Sequence, residues 1–481
     1  MSGAHTERGA FDTFVGLEIH IQLDTRTKVF CGCPVAFGGD PNTRVCPICL
    51  GFPGVLPALN REAARMAYVV AQAVGCTLSA EAVFERKNYF YPDLPKNYQI
   101  SQYGAPIGAG GSLTAPLSPT RPVAIREVHL EEDAGKMIHA GDVSLLDFNR
   151  TGTPLVEIVT EPDLRSGDEA IAFLQYFRRV VRHLGVCDGN MEEGSLRCDA
   201  NVSINHAGAG LGSKVEIKNL NSFKFVGRAI EFELDRQRQE LEAGRSVRVE
   251  TRQWNENRDV TTPMRVKESD SDYRYFPEPD LPPLRPDASF LESVDAAQVE
   301  LPMALRDRLA TDHGLTGAQA EFLSEERATA ELFERAVAAR ADAQQAARWL
   351  AGDVRRLLNR TGMAIADSPL SAGRLSELLE LIDSGAISGK IAKGVLESVL
   401  ADDLDPADVV ERQGLRLIAD EAELDGYVDA AIAAFPEAAA QLRQGDGRPV
   451  GFLIGEVMKR TGGRAAPEPL RRMLQARIGG Q

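Results

Sequence analysis

From Val15 to Leu23 the apolar residues fall on every second position without a break, in Val15-Gly-Leu-Glu-Ile-His-Ile-Gln-Leu23. Side chains of a strand alternate between two faces with a period of two, so this segment reads as a half-buried β-strand. Glu18, His20 and Gln22 then share the opposite face. Residues two apart on a strand lie about 6.6–7 Å apart at Cα, close enough for Glu18 and His20 to converge on one ion. Whatever fold the chain adopts must include a sheet with one covered face and one polar face.

The pattern returns twice. Leu196-Arg-Cys-Asp-Ala-Asn-Val-Ser-Ile204 displays Arg197, Asp199, Asn201 and Ser203, and Lys214-Val-Glu-Ile-Lys218 displays Lys214, Glu216 and Lys218. Antiparallel sheets often wet one face, which accounts for any one of these strands taken singly. Two further segments add to that. In Thr153-Pro-Leu-Val-Glu-Ile-Val-Thr160 a lone Glu157 stands inside an apolar strand, where a carboxylate is costly unless paired or metal-bound. In Val128-His-Leu-Glu-Glu-Asp-Ala-Gly-Lys136 a short strand runs into three consecutive acids, which repel one another unless a cation holds them. A hard divalent ion such as Mg²⁺ suits this oxygen-rich set better than zinc. Nearby cations, Arg197, Lys214 and Lys218, would then face phosphate oxygens. The combined expectation is a metal–phosphate site on a sheet face.

The common nucleotide motifs are missing. Gly385-Ala-Ile-Ser-Gly-Lys390 is one residue short of a P-loop, and no Gly-x-Gly-x-x-Gly occurs. A Rossmann enzyme or P-loop NTPase is disfavoured, and any ATP site must be of another design.

Cys31-Gly-Cys33 and Cys46-Pro-Ile-Cys49 form a four-thiolate arrangement of zinc-knuckle type, two turns each presenting a sulfur pair. A closed tetrahedral Zn²⁺ there would be structural, pinning the loop before Gly51-Phe-Pro-Gly-Val-Leu-Pro57. The other three of the seven cysteines, Cys76, Cys187 and Cys198, are scattered and read as core. An odd cysteine count in a chain of this length argues against a disulfide framework.

The 481 residues exceed one compact core, so two or three domains are expected. Pro277-Glu-Pro-Asp-Leu-Pro-Pro-Leu-Arg-Pro286 reads as a boundary, since proline removes backbone donors and restricts the preceding residue. Strand-like alternation precedes it and an Ala/Leu/Arg-rich helical pattern follows. A softer boundary falls at Asp402-Asp-Leu-Asp-Pro406. The expected fold class is α+β: a body over 1–290 with the cysteine knuckle at 31–49, a helical domain over 291–405, and a small helical tail over 406–481. Within the body, helices are expected over 168–184, closed by Gly185, and over 222–243, closed by Gly244. The first residues lack a signal-peptide core, and no run approaches the roughly 20 apolar residues of a membrane span, so the expectation is a cytoplasmic protein. A net charge of −16 argues against nucleic-acid binding over the whole surface. Between Arg443 and Arg477, however, eight Lys/Arg stand against three acids, a local +5 that suits either a solvated helical face or a polyanion contact.

The blocks VGLEIHIQL, CPICLGFPGVLPALN, RKNYFYPDLPKNYQISQY, HLEEDAGK, FNRTGTPLVEIVTEPD, MEEGSLRCDANVSI, EIKNLNSF and DYRYFPEPDLPPL resemble, in order, the signature segments of the GatB family, the B subunits of bacterial aspartyl/glutamyl-tRNA amidotransferases. Shorter matches at SGKIAK (388–393) and VGFLIGEVMK (450–459) carry the resemblance into the helical regions. It implies a catalytic cradle with a mixed or antiparallel sheet, working in a GatCAB heterotrimer. In that complex an A subunit, an amidase, releases ammonia from glutamine, and a C subunit completes the assembly. The B subunit uses ATP and Mg²⁺ to phosphorylate the side-chain carboxylate of Glu on tRNA-Gln or Asp on tRNA-Asn, and ammonia displaces the phosphate. Carried over by motif, Glu18, His20, Glu132 and Glu157 form the Mg²⁺ and acyl-phosphate centre, with Asp199 and Glu216 as neighbours. The residues leave open whether Glu131 or Glu132 points inward; the motif alignment favours Glu132. Lys87 matches a lysine near the ammonia route, with a solvated lysine as the plain alternative. The resemblance also gives the helical domain and tail a tRNA contact, and implies neither DNA nor membrane as partner. Two other classes compete: a zinc-containing tRNA-binding module without catalysis, and a self-contained amide ligase with its own ammonia source.

Overall fold

The computed structural model describes residues 11–116, 121–266, 273–443 and 448–478. Two compact units divide after Met303. In the first unit the strands are β1 (Phe11–Gln22), β2 (Thr77–Leu78), β3 (Glu85–Asn88), β4 (Tyr98–Ser101), β5 (Gly108–Leu113), β6 (Val123–Glu132), β7 (Lys136–Ala140), β8 (Val143–Asp147), β9 (Pro154–Thr160), β10 (Leu196–His206), β11 (Val215–Lys218), β12 (Glu250–Asn255), β13 (Val260–Val266) and β14 (Phe276–Pro277). Nine of them form one sheet in the order β13-β12-β11-β10-β1-β9-β6-β5-β2. Its pairs are antiparallel except β11–β12, so the sheet is mixed, as expected.

The alternation read from sequence is what covers one face. Leu17, Ile19 and Ile21 of β1, Val128 and Leu130 of β6, Val156 and Ile158 of β9, and Ala200 and Val202 of β10 are buried in one cluster. Three helices supply the other half: α1 (Arg61–Ala73), α2 (Gly167–His183) and α3 (Phe223–Glu242). Phe173, Phe177 and Val180 of α2 and Val226 and Ile230 of α3 are fully buried there. Each such side chain contributes roughly 1.5–3 kcal/mol through burial. Ser166 caps α2 and Ser222 caps α3, their hydroxyls accepting from the Glu169 and Phe225 amides. Gly185 (φ 67°) and Gly244 (φ 71°) follow the helix ends in the left-handed conformation. Helices α2 and α3 pack closely: a Cβ on Gly167 would lie 2.5 Å from the Gly227 carbonyl oxygen.

The proline-rich segment stays within this unit. Phe276–Pro277 pairs with the edge of β3, and Leu284 bridges to Ala82. Proline excludes a central strand but not an edge strand. The following helix α4 (Ala288–Asp295) buries Phe290 and Val294 in the same cluster as α1, within the first unit. The second unit is helical and holds two separate buried clusters, one from Leu305 to Val410 and one from Ile418 to Leu474. No described helix is long and apolar enough to cross a membrane.

Candidate functional site: two acid clusters on one sheet face

The uncovered face of β6-β9-β1-β10-β11 carries the charged residues. Strand register sets them in rows: His20 lies opposite Glu157 on one side and Arg197 on the other, Glu157 opposite His129, and Glu18 opposite Asp199. Two groups of ligand-type atoms result, each with all its atoms within 4.8 Å of one another: His20, Glu131 and Glu157, and Glu18, Asp199 and Glu216.

In the first group His20 Nε2 stands 3.4 Å from Glu131 and 3.6 Å from Glu157. Burial opposes an imidazolium, but the Glu157 and Glu131 carboxylates overcome it and, against Arg197, raise the His20 pKa to about 9. Burial likewise opposes the Glu131 charge, yet His20, Lys87 and the Ser101 hydroxyl, which donates to Glu131 at 3.0 Å, hold it down at about 2. Glu157 is pushed up by burial. In this state the protonated ring is the cation the two carboxylates share. A metal taking its place must displace that proton. One imidazole and two carboxylates leave room for the water or phosphate ligands that Mg²⁺ retains, so the donor set fits.

In the second group Lys218 Nζ pairs with Asp199 and, at 2.9 Å, with Glu216. Burial would lower the Lys218 pKa, but Asp199 and Glu216 raise it above the ordinary lysine range. Asn201 donates to Glu18 at 2.8 Å and the Thr251 hydroxyl to Glu216 at 3.0 Å. Arg197 bridges to Asp133 at 2.7 Å, which also accepts from Gln22 at 2.9 Å. Two cavities of about 360 and 340 Å³ flank the groups and share His20, Lys87, Asp199 and Lys218; Lys214 lines the second. Lys87 is half-buried there. Burial would depress it, but Tyr275, Glu131 and Glu157 hold its pKa above the lysine range.

The structure thus brings together Glu18, His20, Lys87, Glu157, Arg197, Asp199, Lys214, Glu216 and Lys218. It does not bring Glu132 among them, and the preference for that residue is corrected: the inward acid is Glu131. Successive side chains on β6 point to opposite faces, so Glu132 goes under the sheet with Leu130. There it pairs with Lys96 and accepts from the Ile100 amide at 3.0 Å. The alternation Val128, Leu130 against His129, Glu131 was the available signal. Asp133 and Ser101 were also missed; Ser101 lies on β4, thirty residues from its partner, and no local pattern announces it.

The four cysteines of the 31–49 loop form a third group of ligand-type atoms able to hold a metal. The Cys46 and Cys49 sulfurs lie 3.9 Å apart, near the roughly 3.8 Å edge of a tetrahedron with 2.3 Å Zn–S bonds. Fully buried Lys28 donates to the Arg44 carbonyl at 2.8 Å and stands 3.6 Å from Cys49 Sγ.

A charged sheet face with two cation-ready acid clusters, followed by a separate helical unit, defines a class of catalytic body with an appended helical region. The family model described as the GatB/GatE catalytic domain matches residues 13–292, and the one described as the GatB domain matches 331–478. The chain therefore belongs to the GatB family. Its relatives include the B subunit of the aspartyl/glutamyl-tRNA(Asn/Gln) amidotransferase of Gloeothece citriformis, 46% identical over 97% of this chain and 98% of that protein. The protein of the same name from Moorella thermoacetica is 47% identical over 97% and 100%. That from Picosynechococcus sp. is 45% identical over the full length of both.

Proposed function

We propose that this chain is the carboxylate-activating subunit of a tRNA-dependent amidotransferase, phosphorylating Glu on tRNA-Gln or Asp on tRNA-Asn with ATP. The observation that carries this reading is the meeting of both acid clusters with Arg197, Lys87 and Lys218 on one sheet face. A carboxylate is a poor electrophile because its charge repels nucleophiles. Its oxygen attacks the γ-phosphorus, the bond from that phosphorus to the ADP oxygen breaks, and the electron pair leaves with ADP. The acyl phosphate is neutral at the carbonyl and carries a leaving group. Ammonia adds at that carbon, the carbon–oxygen bond to phosphate breaks, and one N–H proton passes to the departing phosphate.

His20, Glu131 and Glu157 would hold one Mg²⁺ and Glu18, Asp199 and Glu216 a second cation. Bound Mg²⁺ neutralises charge on the phosphoryl oxygens. Lys218, released from Asp199 and Glu216, and Arg197 present their donors to the same oxygens. Lys87 stands between the cavities, where a preorganised cation offsets the charge of the incoming carboxylate. Ammonia comes from an amidase partner, the A subunit, with a C subunit completing the heterotrimer. The cysteine group takes structural Zn²⁺, and the basic tail meets tRNA phosphates. There Arg472 and Arg477 lie beside Glu421 and Asp425; Arg443 and Asp446 fall outside the residues whose side chains are described.

Phosphate release from ATP by the purified chain with its A and C partners, with and without Glu-tRNA-Gln, tests this. Release is expected only with the misacylated tRNA and Mg²⁺, and is expected to vanish in Glu157→Gln. A folded, tRNA-binding complex that releases none would leave a non-catalytic tRNA-binding module.

A further inference from the structure

Lys28 is a fully buried lysine, and among the described residues no carboxylate pairs with it. Its stem runs under Gly152 (φ 80°), where a Cβ would lie 3.5 Å from the Lys28 Cδ and 3.7 Å from the Cys49 Cβ. At its end Nζ meets the Arg44 carbonyl oxygen at 2.8 Å, the Phe148 carbonyl oxygen at 3.4 Å and Cys49 Sγ at 3.6 Å. All three are acceptors. An ammonium offers three N–H donors and no acceptor, so this set uses its capacity in full. The other cations lining the same cavity of about 200 Å³ have acids of their own: Lys96 pairs with Glu132 and Arg86 with Glu278.

The backbone of the same residue reaches the other half of the knuckle. The Lys28 amide donates to the Cys33 carbonyl oxygen at 2.9 Å, and Thr27 bridges to Pro34, so the Cys31–Cys33 turn is built on the segment that carries Lys28. The side chain crosses to the Cys46–Cys49 turn. Lys28 is thereby tied to both sulfur pairs, to one through its backbone and to the other through its ammonium. Cys49 is the one buried cysteine of the four, 4% exposed, and so relies on protein donors rather than water. Its sulfur accepts from the Cys46 amide at 3.2 Å and from Lys28. Four thiolates around one Zn²⁺ leave two negative charges in excess, and charge held away from water is costly unless a cation or a donor offsets it. The Lys28 ammonium is both.

On the reading that the cysteine group takes Zn²⁺, we propose that Lys28 is a positioning residue of that site. Its ammonium donates to the Cys49 thiolate and offsets part of the excess charge, while its backbone and side-chain attachments hold the two sulfur turns together. The ion and the ammonium then stabilise each other. A hydrogen bond to an ionised sulfur is stronger than one to a neutral thiol, and without the thiolate Lys28 keeps only carbonyl oxygens against a buried charge. The contact also singles out Cys49 among four otherwise like ligands.

The test uses the full chain, made metal-free and then titrated with Zn²⁺ against a competing chelator and, separately, with Co²⁺ followed by absorbance. Wild type is compared with Lys28→Met, which keeps the stem and loses charge and donors, and with Lys28→Gln, which keeps N–H donors without the charge. Lys96→Met is the control: it breaks a buried pair in the wall of the same cavity and shows what a merely structural loss does. Lys28→Met is expected to weaken Zn²⁺ binding by roughly 10–100-fold and to move the sulfur-to-Co²⁺ charge-transfer band to longer wavelength, with Lys28→Gln between it and wild type. Lys96→Met is expected to lower Tm while the band stays in place and the affinity stays within about twofold. A Lys28→Met chain with wild-type affinity and band, or a Lys96→Met chain that moves both as far, overturns the role of Lys28. A wild-type chain that shows no charge-transfer band counts against the zinc reading itself, whereas a normal wild-type band with unmoved Lys28 variants counts against Lys28 alone. If Lys28→Met fails to fold by circular dichroism, Lys28→Gln decides.

Discussion

The acid centre and the cysteine knuckle both gather metal-ligand side chains, yet they are built in opposite ways. The knuckle draws four identical soft ligands from one loop, and a single tetrahedral ion would use all of them. The acid centre draws its ligands from separate strands, and each of its two groups already holds a protein cation, His20 or Lys218. Ligands spaced along one loop can close around an ion. Ligands fixed by a sheet's register stay open on the solvent side and leave positions for oxygens from outside the protein. The knuckle should therefore govern stability and the centre turnover.

The largest expected effect is at Glu131. Glu131→Gln keeps the hydrogen bond from Ser101 but removes the charge facing His20, and should lower tRNA-dependent phosphate release on the order of 10²–10³-fold. Thermal unfolding followed by circular dichroism should move less than in Glu132→Gln, because Glu157 remains beside His20. Full activity in this variant would take Glu131 out of the centre and reopen the case for Glu132.

Glu132→Gln should give the reverse result. Glu132 is 2% exposed, and its removal strands Lys96 without a counter-charge under the sheet. Breaking a buried pair from one side costs about 3–5 kcal/mol, so denaturant unfolding should show a loss near the lower figure, because the amide retains part of the hydrogen bonding. The Mg²⁺ affinity of the folded variant, measured by direct titration, should match wild type. A stability loss in Glu131→Gln with none in Glu132→Gln would contradict the assignment of the two faces.

How legible this was from sequence follows from which contacts are local. Alternation exposed β1, β9, β10 and β11 because one face of each is covered by helices while the other is wet. It also held the answer on Glu131, since Val128 and Leu130 fix which face of β6 is apolar. Register across strands was not legible. The His20–Glu157 and Glu18–Asp199 neighbours are set by pairing between segments more than a hundred residues apart, and no local pattern encodes that. The proline-rich run was legible as a break but not as an edge strand, because its partner Arg86 lies 192 residues from the Glu278 it grips.

At the knuckle, Cys46→Ser should weaken metal affinity by at least 100-fold, beyond the 10–100-fold typical of losing an outer hydrogen bond. A chelator competition assay reads this directly. Removing the metal from wild type with the same chelator should lower Tm by a similar amount, while phosphate release below the transition stays within about twofold of the untreated complex. Loss of turnover without loss of Tm would mean the loop positions substrate rather than pinning the fold.

The smallest effect is expected at the rim of the centre, where Arg126 grips Glu161 with two hydrogen bonds of 2.9 and 3.0 Å. Both side chains are substantially exposed, at 51% and 40%, so water and salt screen the pair. Arg126→Ala should cost less than about 1 kcal/mol in denaturant unfolding, a cost that shrinks further in high salt. The residue nonetheless lines the same cavity as Glu157 and Lys87. If the sheet face binds phosphate oxygens through its cations, losing this one should raise the KM for a polyanionic substrate more than it lowers stability. A KM that stays fixed while stability falls by several kcal/mol would place Arg126 in the fold and leave the charged face of β6 to His129 and Glu131.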